Sequence, residues 1–216
     1  MKISSLNKGL VAHWTMSQDS LKGSLLADKT PYENDGTIYG ATFTTDRKGK
    51  ANSAMSFDGV DDYIDCGKNK SLDITGAITV SAWIKPQEKS DTYRTVISKG
   101  YNISENYQLR MGRTSEGNYV LFDVGNGSSL ITSSRVALNN DTWYHIVGYY
   151  NGSVVGIYVN GIDYSGPAYS NTLSFNTNTL FIGKNISDSG EYFAGSIDDV
   201  RIYNRALSET EIKTLY

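Results

Sequence analysis

Short runs in which apolar and polar residues alternate, cut every few positions by Gly, Asn or Asp, recur along the whole chain. The stretch 195–204 shows the pattern well: Ile197, Asp199, Arg201 and Tyr203 fall on one side, and Asp198, Val200 and Ile202 on the other. A period of two is that of a β-strand, whose successive side chains leave opposite faces. Reading it along the chain predicts strands over 10–16, 37–44, 53–57, 61–66, 78–86, 94–99, 106–112, 118–123, 129–132, 143–150, 153–160, 179–184 and 195–204. One helix is expected, over Ser208–Leu215, where Ser208 and Glu211 have capping-box spacing. Many short strands without a long helix exclude a parallel α/β sheet and predict two stacked antiparallel sheets.

The turns agree. Asn151-Gly152 separates the strand of Trp143 from Val154–Val159 and predicts a type I′ hairpin, and Asn160-Gly161 then turns the chain toward Ile162-Asp163-Tyr164. Neither face of 143–150 reads as purely polar or purely apolar, so both are expected to be partly covered. Trp14, Phe57, Trp83, Trp143, Phe181, Ile197, Val200 and Ile202 are the core candidates, because large aromatic and branched side chains dominate burial in a sandwich.

Length and charge narrow the class. A chain of 216 residues suits a single all-β domain. Twenty basic and 23 acidic residues give a net charge of −3, which argues against a nucleic-acid backbone or an anionic membrane as partner. Cys66 is the only cysteine, so no intrachain disulfide forms, and a small strand residue is its simplest reading. No apolar run is long enough to span a membrane, and residues 1–9 lack the apolar core of a signal peptide. Asn-x-Ser/Thr triplets at Asn69, Asn102, Asn126, Asn140, Asn151 and Asn185 read as loop composition rather than glycosylation.

Four motifs fall in a telling order: Phe57-Asp58-Gly59-Val60-Asp61-Asp62-Tyr63, Ser81-Ala82-Trp83-Ile84-Lys85-Pro86, Trp143-Tyr144-His145, and Phe193 to Ser208 with Asp198-Asp199-Val200-Arg201-Ile202-Tyr203 at its centre. Together they resemble the laminin-G-like jelly-roll domains of the concanavalin-A-like lectin/glucanase superfamily, over nearly the whole chain. The resemblance implies an all-β, two-sheet antiparallel jelly-roll sandwich with one short C-terminal helix, occupying 9–216 after an N-terminal extension, 1–8. It also makes His145 a structural, hydrogen-bonded sheet residue. Animal modules of this type usually carry a disulfide, so the single cysteine points to a prokaryotic or viral version.

Carboxylates suggest metals at two places. Asp58, Asp61, Asp62 and Asp65 crowd a Gly-containing turn, and either local turn geometry or a bound cation accounts for them. The resemblance implies a second place: relatives commonly use a calcium ion to tie the N-terminal region to the last strand. Asp199 occupies the matching position of that strand, and Asp28, Asn34 and Gly36 match the N-terminal loop, which departs from the family pattern at Thr30 and Pro31. The alternative is a Gly-closed turn with Asp199 held by backbone N–H groups.

Catalysis finds no support in the residues. Glycanases of the superfamily carry Glu-x-Asp-x-Glu or Glu-x-Asp-x-x-Glu on one strand, setting two carboxylates about 5.5 Å apart. None of Glu33, Glu88, Glu105, Glu116, Glu191, Glu209 and Glu211 stands in such a run. A sugar site needs rings to stack on and planar polar groups for hydroxyls, and such residues are dense between Tyr93 and Asn126. There Tyr107, Leu109 and Met111 alternate with Gln108, Arg110 and Gly112. Tyr101, Tyr107, Arg110 and Asn126 are the candidate ligand residues, with an ordinary solvated sheet face as the alternative. The expected function is a non-catalytic, lectin-like module for an extracellular or cell-surface glycan, alone or beside other modules. A structural, adhesion or virion decoration role without a sugar site is the second expectation.

Overall fold

The structure is a computed structural model describing residues 6–88, 91–100, 106–186 and 191–216. The chain opens with β1 (Leu10–Trp14), β2 (Leu21–Lys22), β3 (Leu25–Leu26), β4 (Gly36–Tyr39) and β5 (Thr42–Thr44). It continues through β6 (Ala54–Asp58), β7 (Tyr63–Asp65), β8 (Ile78–Pro86), β9 (Arg94–Lys99) and β10 (Tyr107–Met111). Next come β11 (Tyr119–Gly125), β12 (Leu130–Thr132), β13 (Val136–Ala137) and β14 (Tyr144–Tyr150). It closes with β15 (Val154–Val159), β16 (Ile162–Ala168), β17 (Leu180–Ile182), β18 (Ala194–Tyr203) and helix α1 (Glu209–Leu215).

These strands form two antiparallel sheets. The eight-stranded sheet runs β16-β15-β14-β8-β18-β6-β5, with β1 also beside β18. The ten-stranded sheet runs β12-β11-β10-β9-β17-β7-β4-β3-β2, with β13 also beside β11. Between them lies one core that includes Trp14, Phe57, Ile64, Val80, Tyr107, Phe122, Ile146 and Ile197. Burying each such large apolar side chain is worth about 1.5–3 kcal/mol. Gly148 is required at its place in β14, because a Cβ there would lie 2.3 Å from the ring of Phe122 on the facing sheet.

The outer face of the eight-stranded sheet is covered in part by α1. Val147, Tyr149, Tyr158 and Tyr203 pack against Leu207, Ile212 and Leu215. This explains why neither face of β14 reads as purely polar. The helix starts as its sequence predicts: Ser208 Oγ accepts the Glu211 N–H at 3.3 Å, and the Ser208 N–H donates to Glu211 Oε2 at 2.9 Å.

Several expectations need correction. Trp143 and Phe181 are only half buried: the first lies ahead of β14 with Lys85 over its ring at 5.9 Å, and the second points out of the ten-stranded sheet. The run 37–44 breaks at Gly40, φ 72°, into β4 and β5, which join different sheets. At Asn160-Gly161 both φ angles are positive, 50° and 75°, as a type I′ turn requires. In the loop before it only Gly152 is left-handed, and Asn151 Oδ1 closes the turn by accepting the N–H groups of Ser153 and Val154. Cys66 is buried and free, and burial pushes its thiol well above the ordinary range.

Candidate functional site

The alternation in β10 divides its side chains cleanly. Tyr107, Leu109 and Met111 enter the core, while Gln108 and Arg110 leave the outer face of the ten-stranded sheet. Register continues that face sideways. Gln108 stands opposite Ser98 of β9 and Asp123 of β11, and Asp123 stands opposite Thr132 of β12. In the other direction Ser98 stands opposite Phe181, and Phe181 opposite Asp65. One row thus crosses the sheet from hydroxyl and carboxylate to aromatic ring.

A buried polar floor supports it. Asp123 is fully buried: Oδ2 accepts Arg110 Nε at 2.5 Å and Oδ1 accepts Thr132 Oγ1 at 2.6 Å. Burial lifts its carboxyl, and the Arg110 guanidinium pulls the other way. Gln108 Nε2 donates to Thr95 Oγ1 at 2.8 Å. Asp123 therefore cannot reach a ligand; it fixes Arg110 and Thr132, which are partly exposed and can.

Aromatic rings flank the floor. Tyr93 carries two guanidinium groups on its ring, Arg110 at 4.4 Å and Arg113 at 4.9 Å. Across the sheet, Tyr39 stacks on Tyr63 at 4.6 Å, and Phe181 meets Tyr63 edge-on at 5.8 Å. Lys184 Nζ lies over Tyr63 at 4.0 Å, Phe181 at 4.6 Å and Tyr192 at 5.9 Å. Between the two groups, Glu191 Oε2 accepts Asn185 Nδ2 at 2.5 Å. Burial raises the Glu191 carboxyl against the opposing pull of Arg110 and Arg113. Rings beside a few fixed polar groups are what sugar recognition asks for.

Of the three described residues among the four expected to bind ligand, Arg110 alone stands at the centre of this face. Tyr107 is a correction: it is fully buried between the sheets and donates its hydroxyl to the Leu72 carbonyl at 3.2 Å. Its shared parity with Leu109 and Met111 is the signal for that burial. Asn126 is half exposed in the β11–β12 loop, where Oδ1 accepts the Ser128 and Ser129 N–H groups at 2.9 and 2.8 Å. Tyr101 lies outside the described residues. Tyr63, Phe181 and Lys184 join the face although they lie far from the Tyr93–Asn126 stretch in sequence, because β17 and β7 follow β9 in the sheet.

The residues matched to a calcium site do not fit an ion. Asp28 Oδ1 accepts the N–H groups of His13 and Thr30 at 2.9 and 3.0 Å. Its Oδ2 accepts Thr30 Oγ1, the Asn34 N–H and Asn34 Nδ2 at 2.7, 3.0 and 3.2 Å. Asn34 Oδ1 accepts Ser71 Oγ at 3.1 Å, and Gly36 is spent in the β3–β4 ladder. Asp199 sits at φ 49° where β18 slips in register against β8. Its carboxylate accepts Arg201 Nε and Nη2 at 3.0 and 3.1 Å, with His13 Nε2 at 2.8 Å and Arg47 at 3.9 Å. Burial alone would lift the Asp199 carboxyl, yet His13 and Arg201 hold it down at about 2. His13 joins the first loop to the last strand, its N–H on Asp28 and its Nε2 at Asp199, while Arg201 of the same strand and Arg47 bring positive charge to the Asp199 carboxylate.

In the turn after β6, Asp58, Asp61 and Asp62 each offer a carboxylate oxygen within 4.8 Å of the others. Turn geometry engages two of them: Asp62 Oδ2 accepts the Asp58 N–H at 2.8 Å, and Asp58 Oδ1 accepts the Val60 N–H at 2.7 Å. His145 is a buried sheet residue whose Nε2 lies 3.0 Å from Ser81 Oγ, beside the mutually stacked rings of Trp83 and Tyr216. Burial lowers it to about 4. No helix among the described residues is long and apolar enough to cross a membrane.

Comparison with known proteins agrees with the architecture. A laminin G family model, described as the concanavalin A-like lectin/glucanases superfamily, matches residues 58–213. The adhesion G-protein coupled receptor V1 of Danio rerio is 24% identical over 153 residues, 66% of this chain but 2% of the receptor, so the chain spans a small fraction of that protein. Domain 4 of AbnA, a GH43 extracellular arabinanase from Geobacillus stearothermophilus solved with arabinotriose, superposes with a TM-score of 0.72 at 21% identity, covering 95% of this chain and 97% of that one. The botulinum neurotoxin serotype D ligand-binding domain, solved with N-acetylneuraminic acid, superposes with a TM-score of 0.72 at 16% identity over 99% of this chain and 52% of that one. The chain belongs to the laminin-G-like domains of the concanavalin A-like lectin/glucanase superfamily.

Proposed function

We propose that the chain is a non-catalytic carbohydrate-binding module, and that the outer face of the ten-stranded sheet is its binding face. The observation that carries this reading is the fixed pair Arg110 and Thr132, both held by buried Asp123, with Tyr93 on one side and Tyr39, Tyr63 and Phe181 on the other. Two solved neighbours with the same fold hold sugars, arabinotriose in one and N-acetylneuraminic acid in the other, which supports a glycan as the ligand class.

The same geometry favours binding over hydrolysis. A glycosidase needs two carboxyl groups that both reach the scissile bond. Here Asp123 is fully buried with both oxygens taken, so it cannot serve with Glu191 as the acid and nucleophile of such a pair. The isolated domain should be retained on a polysaccharide and oligosaccharide array and release no reducing ends. No retention at millimolar ligand sinks the binding reading, and product release sinks its non-catalytic part.

An adhesion role within a larger surface protein is the second reading, favoured by the match to a segment of an adhesion receptor. Glycan binding and adhesion separate in the same array: a module that serves only as a spacer or protein contact retains no sugar.

A further inference from the structure

We propose that the glycan recognised by this face is acidic, carrying anionic groups on more than one sugar, which Arg113 and Lys184 meet from opposite sides of the site. The proposal rests on the glycan-binding reading above and names its ligand class.

Among the described residues of the face, two cations have no carboxylate in contact with them. Tyr93 takes two guanidinium groups within 5 Å of one ring, and they repel each other there. Arg110 is matched by Asp123 at 2.5 Å, whereas Arg113 has no carboxylate within ion-pair distance among the described residues. Asp91 and Glu191 feel the Arg113 charge only from farther off. Lys184 is half buried on the rings of Tyr63 and Phe181 and likewise lacks a carboxylate among the described residues. Two further described carboxylates of the face bond neutral donors and lie beyond ion-pair distance of both cations: Glu191 accepts Asn185 Nδ2, and Asp65 Oδ1 accepts the Gly67 N–H at 2.8 Å. Among the described residues, a chain of net charge −3 thus leaves two cations without a contacting anion on the sheet face that also carries the rings and the fixed polar pair. The lysine is seated as well as charged, since its ammonium is attracted by the ring faces beneath it.

Geometry sets the ligand's length. Arg110 is on β10 and Tyr63 on β7, with β9 and β17 between them. At the usual strand spacing that separation is roughly 14 Å, too far for one sugar and suited to a short oligosaccharide lying across the strands. One anionic group on a single sugar would satisfy only one end. Carboxylates of uronic acids and sulfate esters offer the same charge-assisted hydrogen bonding to both cations.

Titration calorimetry separates the cases with three probes of equal length: an oligogalacturonate, its carboxyl-reduced counterpart, and a sulfated neutral oligosaccharide. The oligogalacturonate or the sulfated probe should bind at least about tenfold more tightly than the carboxyl-reduced one, with affinity falling as salt rises. The acidic probe that wins identifies the anion. Lys184→Met and Arg113→Met, both at positions exposed enough to keep the fold, should each weaken the acidic probe roughly tenfold and leave melting unchanged. Equal binding of the carboxyl-reduced probe overturns the acidic ligand while leaving the glycan site standing. Binding of none of the three, together with an empty glycan array, overturns both. Acidic binding that neither variant weakens also overturns the assignment to these two side chains.

Discussion

At Asp123 a single buried side chain holds the face in place. Arg110→Met would leave its carboxylate without the guanidinium that matches it, and we expect a stability loss of about 3–5 kcal/mol by urea denaturation. Tyr93→Ala acts differently, because it removes an accessible ring without disturbing the floor. Its expected effect is a five- to tenfold loss of glycan affinity, with a change in stability under about 1 kcal/mol. His145 provides a pH test. Burial holds it near 4 in the folded state against 6.5 ordinarily, so the unfolded chain binds the extra proton. Its contribution is fully present above pH 6.5 and is lost as the pH falls toward 4, by about 3 kcal/mol in all. Asp198, lifted to about 6 by burial, works in the opposite direction over part of that window. The difference between the protein and His145→Gln, which keeps a partner for Ser81, therefore isolates the histidine: the variant should lose less stability between pH 6.5 and 4.5.

Elements whose side chains alternate are legible in the sequence, and those without alternation are not. Strands β8 and β9 fall on the residues expected, and α1 begins at its capping box. We expect Ser208→Ala to cost about 1 kcal/mol, read by the same denaturation curve, because it removes the Oγ that accepts the Glu211 N–H and leaves only the backbone half of the box. Strands β2, β3 and β13 are two residues long, too short to show a period, and β16 is exposed along most of its length. The candidate site divides in the same way. Parity in β10 is enough to separate Arg110 from Tyr107, once the apolar company of Tyr107 is weighed. Nothing local joins Tyr63 and Phe181 to Arg110, since their meeting depends on β17 and β7 following β9 in the sheet. Sheet order is set by long-range pairing, which a period of two does not encode.

Taken whole, the molecule closes its first loop against its last strand with side chains. Asp28 is saturated by five hydrogen bonds from its own loop and β1, and Asp199 by Arg201 and His13. A thermal melt in EDTA should therefore match a melt in calcium. A chelator-induced fall of several degrees would mean that an ion holds this junction after all. The larger claim concerns where a ligand sits on the sandwich: α1 covers part of one outer face, while the other carries rings beside a fixed arginine. Chemical-shift mapping of the labelled domain, titrated with an oligosaccharide retained on the array, addresses that claim most directly. Perturbations should gather on Tyr63, Tyr93, Arg110, Thr132 and Lys184. Perturbations gathered instead around Tyr149, Tyr158 and α1 would contradict it.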